Sequence, residues 1–233
     1  MRAPDSFSSA IVAVGSFNPA IITPDWLEKN QLIGSDDAAS ARASQGLIIS
    51  QQVTVYETDW FAIQVLDNQF TLQSKGALSP TFRDLASGIF SLVPHTPITA
   101  LGLNFSGDYK VPTVDAYHKV GDMLAPKEIW SKIYPPDKYS LGMMTVTIRV
   151  QEGKREENFP VLKSPHYKNI TVQPSNRVRS AIFLQLNDHR QISEIQSEMT
   201  SAELVAQIIA EEWEECWEHA QHEFGSIVDF ALA

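Results

Sequence analysis

Cysteine and long apolar runs are scarce in this chain of 233 residues. The single cysteine, Cys216, excludes an intramolecular disulfide and any zinc site built on paired cysteines. Apolar runs stay shorter than the roughly 18 residues that a membrane-spanning helix requires. The first of them, residues 10–14, is too short for the core of a signal peptide. We therefore expect a cytoplasmic protein that is neither secreted nor embedded in a membrane.

Motifs that bind phosphate or build a catalytic centre are also missing from the sequence. Its 11 glycines are scattered, and none of the patterns GxGxxG, GxxxxGK[ST] or GxSxG occurs. His219 and His222 are three residues apart beside Glu215 and Glu218, a spacing that places side chains on one helix face. Neither HExxH nor the Glu-x-x-His spacing of di-iron bundles is present, so we predict no metal, no cofactor and, on balance, no enzyme activity.

Basic residues are absent from the last fifth of the chain. The sequence has 28 acidic and 18 basic residues, and residues 191–233 contain ten of the acids but no lysine or arginine. The rest of the chain is therefore electrically balanced, and the net charge of −10 belongs to the C-terminal segment. Because nucleic acids require a basic surface, we expect them not to be partners.

Alternating apolar and polar residues predict antiparallel strands in two regions. Residues 47–74 have this period, with Asp67 and Asn68 as a two-residue hairpin turn. After Pro135–Pro136, residues 141–150 predict a strand with Met144, Val146, Ile148 and Val150 facing inward. Residues 168–173 and 177–186 predict a second hairpin, whereas the small polar residues 35–46 predict a surface loop.

The last helix has the strongest signals in the chain. Residues 200–203 (TSAE) form a capping box, and Gly225 predicts the end of the helix. Between them runs an apolar stripe at helical spacing: Val205, Ile209, Trp213, Cys216, Ala220 and Phe224. We interpret Cys216 as a buried structural residue, because its acidic neighbours would raise the pKa of a thiol.

The order of these elements predicts an α+β fold with a mostly antiparallel sheet, since strands follow strands instead of alternating with helices. We expect a single domain of two strand-rich halves, residues 1–134 and 137–233, each followed by helix and separated at Pro135–Pro136. A long amphipathic C-terminal helix closes the chain. ITALGLNF (residues 98–105) and EEWEECWEHAQHEF (residues 211–224) carry a layout that resembles an uncharacterised, sporadically distributed bacterial α+β family. That resemblance implies the fold and assigns no catalytic residue.

Two functions remain open from the sequence. The first is a non-enzymatic protein that acts through protein–protein contact, as a homo-oligomer or as a subunit of a larger assembly. Its candidate contact residues lie on the last helix: Glu211, Glu214, Glu215, Glu218 and Trp217. Arg149, Arg177 and Arg179 are candidates to neutralise that acidic face from within the chain. The second is a small-molecule-binding protein or enzyme, with a pocket between the antiparallel sheet and the C-terminal helix.

Overall fold

The computed structural model describes residues 3–76, 79–153 and 164–233. The described residues form nine strands and six α-helices, with a short 3-10 turn at Ile192–Glu194. The strands are β1 (Ser6–Gly15), β2 (Ile48–Ile49), β3 (Val53–Glu57), β4 (Phe61–Leu66), β5 (Gln69–Ser74), β6 (Ile98–Lys110), β7 (Val146–Val150), β8 (His166–Pro174) and β9 (Ala181–Arg190). The helices are α1 (Pro24–Lys29), α2 (Ser35–Ala43), α3 (Pro80–Leu92), α4 (Val114–Leu124), α5 (Glu128–Ser131) and α6 (Ser201–Leu232).

All nine strands belong to one sheet, in the order β2-β3-β4-β5-β1-β6-β9-β8-β7. Every neighbouring pair is antiparallel. The predicted α+β fold with an antiparallel sheet and a long C-terminal helix is therefore confirmed. Strands from both sides of Pro135–Pro136 meet inside the sheet, where β6 pairs with β9 along Leu101–Lys110. The division into two halves stays a prediction.

The core lies between one face of the sheet and the helices α3 and α6. Trp213 of α6 connects these layers, since its ring lies 5.4 Å from that of Phe82 on α3 and 4.9 Å from that of Phe105 on β6. The whole predicted stripe of α6 is buried. Its N-terminal capping box is also present, with Thr200 and Glu203 bonded to each other's backbone. None of the helices in the described ranges has the length and apolar character needed to cross a membrane.

Helix α6 does not end at Gly225, as the sequence predicted, but continues to Leu232. Val228 and Ala231 extend the apolar stripe beyond the glycine and are almost completely buried. A glycine inside a helix costs only about 1 kcal/mol relative to alanine. Packing of the last two turns offsets that cost, so the helix passes through Gly225.

The loop predicted for residues 35–46 is wrong, because residues 35–43 form α2. Two alanines three residues apart, Ala38 and Ala41, are fully buried. Arg42 binds the carboxylates of Asp25 and Glu28 on α1. Most side chains of α2 are small or polar. The two alanines nevertheless form a narrow apolar face on which the helix packs against neighbouring elements.

The prediction that Val146, Ile148 and Val150 face inward is right about the face, since Val146 lies opposite the buried Val172, but wrong about their burial. The strand β7 is shorter and lies at the edge of the sheet, where Ile148 is 57% exposed and Val150 48%. Met144 precedes the strand and is 81% exposed. Alternation identified one face of this strand correctly, but a strand at the edge of a sheet extends past the helix that covers the centre.

Two phenylalanines on α6 give a direct test of this packing. Phe224 is fully buried, whereas Phe230 is 75% exposed. We expect Phe224→Ala to lower the free energy of unfolding by about 3–5 kcal/mol, the usual cost of removing a buried aromatic ring. Phe230→Ala should change it by less than about 0.5 kcal/mol. Urea denaturation of both variants measures the difference, and equal effects would contradict the placement of α6.

Candidate functional site

A cleft of about 440 Å³ lies between α6 and the ends of β7, β8 and β9. Strand β9 supplies Asp188 and Arg190, which follow Leu184 and Leu186 at every second position and so lie on the same face of the sheet. The register places His166 of β8 opposite Arg190. The wall opposite the sheet is α6. The lining residues are Val150, Gln151, Glu152, His166, Tyr167, Lys168, Asp188, Arg190, Glu212, Glu215, Cys216 and His219.

Asp188 is the centre of a hydrogen-bonded cluster at the base of the cleft. Its side chain is only 2% exposed, and its Oδ1 atom lies 2.8 Å from His166 Nε2 and 3.1 Å from Arg190 Nε. The Cys216 thiol donates to Oδ2 across 3.6 Å. The carboxylate therefore joins β8, β9 and α6 through three different partners.

Arg190 is equally well paired. Its guanidinium binds Asp188 on β9 and Glu212 on α6, and it donates to the Cys216 sulfur across 3.7 Å. Burial alone would raise the pKa of Asp188, but the hydrogen bond with His166 and the charge of Arg190 outweigh that effect and lower it. Burial also acts against the charge of Arg190, yet Asp188 and Glu212 hold its pKa above the ordinary value. Both residues are thus ionised in the folded protein.

Cys216 has the environment of a protonated thiol. Burial, reinforced by the nearby charge of Asp188, raises the pKa of Cys216 to about 12. Since the thiolate is the reactive form of cysteine, this side chain acts as a weak hydrogen-bond donor rather than as a nucleophile at neutral pH. Its burial confirms the structural interpretation drawn from the apolar stripe.

Most of the residues proposed from the sequence as partner contacts do not meet in this cleft. Glu215 lines it, whereas Glu214 pairs with Arg83 on α3 and Glu211 accepts a hydrogen bond from Gln207. Trp217 packs against Phe7, with their ring centres 3.8 Å apart. Glu218 is exposed to solvent. A partner-binding role for these five residues stays a prediction.

The cations that balance α6 are not the ones suggested by the sequence. Arg83 binds Glu214, Arg190 binds Glu212, and Lys168 binds Glu223. Arg177 instead pairs with Asp108, and the guanidinium of Arg149 lies 4.0 Å from the centre of the Tyr167 ring. The acidic helix is therefore neutralised in part from within the chain, by a cation from each of α3, β8 and β9.

The sequence analysis above did not identify Asp188, Arg190 and His166 as one cluster. The signal that could have found them is the two-residue period of β9, which brings two charged residues onto the face of Leu184 and Leu186. Charged residues at core positions require partners, and that requirement points to a cluster. In the described part of the chain, no three histidine, cysteine or acidic side chains are placed to hold a metal ion. Comparison with protein-family models and with curated proteins found no match for this chain.

The contribution of Asp188 to the stability of the folded protein can be measured with a substitution. We expect Asp188→Asn to lower the free energy of unfolding by about 3 kcal/mol, since removing one member of a buried ion pair leaves the other uncompensated. The expected value is at the low end of the usual range because Glu212 still pairs with Arg190. Glu214→Gln removes an exposed pair with Arg83 and should cost less than about 1 kcal/mol.

The stability difference between wild type and Asp188→Asn should depend on pH. Because the pKa of Asp188 is lowered on folding, its ionised form stabilises the folded protein fully above the unfolded pKa of about 3.9. That contribution disappears as the pH falls through the lower folded pKa. The stability difference between wild type and Asp188→Asn should therefore be constant near neutral pH and shrink below about pH 4. A difference that grew on acidification would contradict the ionised state of Asp188.

Proposed function

We propose that this protein binds a small molecule carrying a protonated amine, in the cleft between the sheet and α6. The cleft volume of about 440 Å³ is within the range of small-molecule sites. Polar side chains converge on it from three elements, and Val150 contributes apolar surface. This arrangement is the one expected for the second function left open by the sequence.

The pairing of charges in the cleft supports a cationic ligand. Both cationic side chains among the lining residues, Lys168 and Arg190, are already bound to carboxylates. Glu152 and Glu215 line the same cleft and form no ion pair with any residue that the structure describes. A ligand that enters the cleft therefore meets two carboxylates that have no counter-charge among the described residues, and this observation carries the proposal.

His166 adds a directional hydrogen-bonding group. Its Nε2 atom is fixed by Asp188, while its side chain is 48% exposed at the cleft. A histidine held through one ring nitrogen by a carboxylate has a defined orientation, which leaves the second nitrogen available to a ligand. The buried cluster therefore orients a recognition residue as well as stabilising the fold.

Benzylamine and benzoate form a matched pair of probes for this cleft, since they share an aromatic ring and differ in the sign of their charge. We expect benzylamine to shift the amide resonances of residues 166–168 and 215–219 in a two-dimensional nitrogen–proton NMR titration. Glu215→Gln should weaken that response, because it removes a carboxylate of the cleft. Glu211→Gln changes an acid of the same helix outside the cleft and should leave the response intact.

The outcomes of this titration are distinct. Benzoate binding in the cleft without benzylamine binding would reverse the predicted ligand charge. Shifts outside the cleft for both probes, or an equal loss of response in the two glutamate variants, would overturn the site itself.

A further inference from the structure

Among the described residues, no strand lies beside one side of the β7 backbone. Strand β7 pairs with β8 alone and ends the sheet among the described residues. Every second residue of such a strand directs its N–H and C=O groups away from the sheet, where they can pair with another strand. Four of its five residues, all except Arg149, are β-branched and therefore suited to sheet formation.

Strand β7 has few of the features that normally protect a sheet edge from pairing with another strand. Proteins shorten edge strands or place proline and outward-reaching charges on them. The opposite edge, β2, is protected in this way, because it has only two residues. The one charged residue of β7, Arg149, is drawn back over the sheet, where it lies on the Tyr167 ring and its Nε donates to Asn169 across 3.1 Å.

Apolar side chains accompany this open edge. Ile148 and Val150 share one face by alternation and are 57% and 48% exposed, and Met144, just before the strand, is 81% exposed. An apolar surface of this kind next to an unpaired edge is typical of an interface between chains. A partner strand could pair with the backbone groups at this edge and contact the apolar side chains beside it.

We infer that β7 pairs with β7 of a second copy of this chain. Antiparallel pairing of a strand with itself is two-fold symmetric, so each copy offers the complement of the other. A register centred on Ile148 places Val146 opposite Val150 and Thr147 opposite Arg149. No like charges then face each other, which is the condition for a stable cross-strand pair.

This pairing has a consequence for the cleft between the sheet and α6. Val150 belongs to β7 and also lines that cleft, and Gln151 and Glu152 follow it. The second copy would therefore lie beside the mouth of the cleft and extend its wall. The association itself requires no ligand, so it can be tested apart from the proposed function.

Sedimentation velocity over a dilution series tests the association. We expect wild type to sediment as a dimer that dissociates on dilution, and Ile148→Lys to sediment as a monomer at every concentration tested. Ile48→Lys is the matched control, because Ile48 is 51% exposed on the opposite edge strand. A monomeric wild type, or dissociation by Ile48→Lys with an intact Ile148→Lys dimer, would overturn the inference.

A cross-link tests the register even if the lysine variant folds poorly. In the proposed register Ile148 faces its own copy across the two-fold axis, with Cβ atoms roughly 5 Å apart. Ile148→Cys should therefore form a disulfide-linked dimer with copper–phenanthroline, whereas Ile48→Cys should stay unlinked. The buried Cys216 is present in both variants and serves as an internal control. Equal cross-linking of the two variants, or none in Ile148→Cys, would contradict the pairing.

Discussion

A carboxylate removed from water connects two strands of the sheet to the C-terminal helix of this protein. An isolated Asp188 side chain at 2% exposure would carry a large desolvation cost, so the fold must provide partners for it. His166, Arg190 and Cys216 are those partners, and they come from β8, β9 and α6. These contacts connect the C-terminal helix to the end of the sheet and form the base of the cleft.

The acidic character of α6 has a physical role in this arrangement. Three of its glutamates meet cations from three different elements: Glu214 with Arg83, Glu212 with Arg190 and Glu223 with Lys168. Surface pairs contribute little individually, but the pair with Arg190 belongs to the buried cluster. Glu215, in the cleft, has no such cation among the described residues. The unequal pairing of neighbouring acids on one helix is the basis for expecting a cationic ligand there.

Local patterns predicted the regular elements well and the tertiary environment poorly. The hairpin at Asp67–Asn68 and the capping box at Thr200 depend on interactions within a few residues, so their sequence signals were sufficient. The edge position of β7 depends on strand order, which no local pattern contains. Gly225 and α2 were misjudged for a related reason, because packing of Val228 and of Ala38 decided the structure there.

In the candidate site, too, local patterns predict some residues and the tertiary environment decides the others. Glu215 could be named from the sequence because it stands on a helix with a clear polar face. Asp188 and Arg190 were not predicted as site residues, although the alternation of β9 places them on the same face of the sheet as Leu186. Their partners His166 and Cys216 are 22 and 28 residues away from Asp188 in the chain, so only the fold brings them together.

Hydrogen–deuterium exchange along α6 tests most directly whether Asp188 holds this helix against the sheet. We expect Asp188→Asn to accelerate exchange in residues 212–219, next to the cluster, while residues 203–210 remain as protected as in wild type. Glu214→Gln should leave both segments unchanged, because it alters an exposed pair. Unchanged exchange in residues 212–219 of Asp188→Asn, or equal acceleration along the whole helix, would contradict the central role of Asp188.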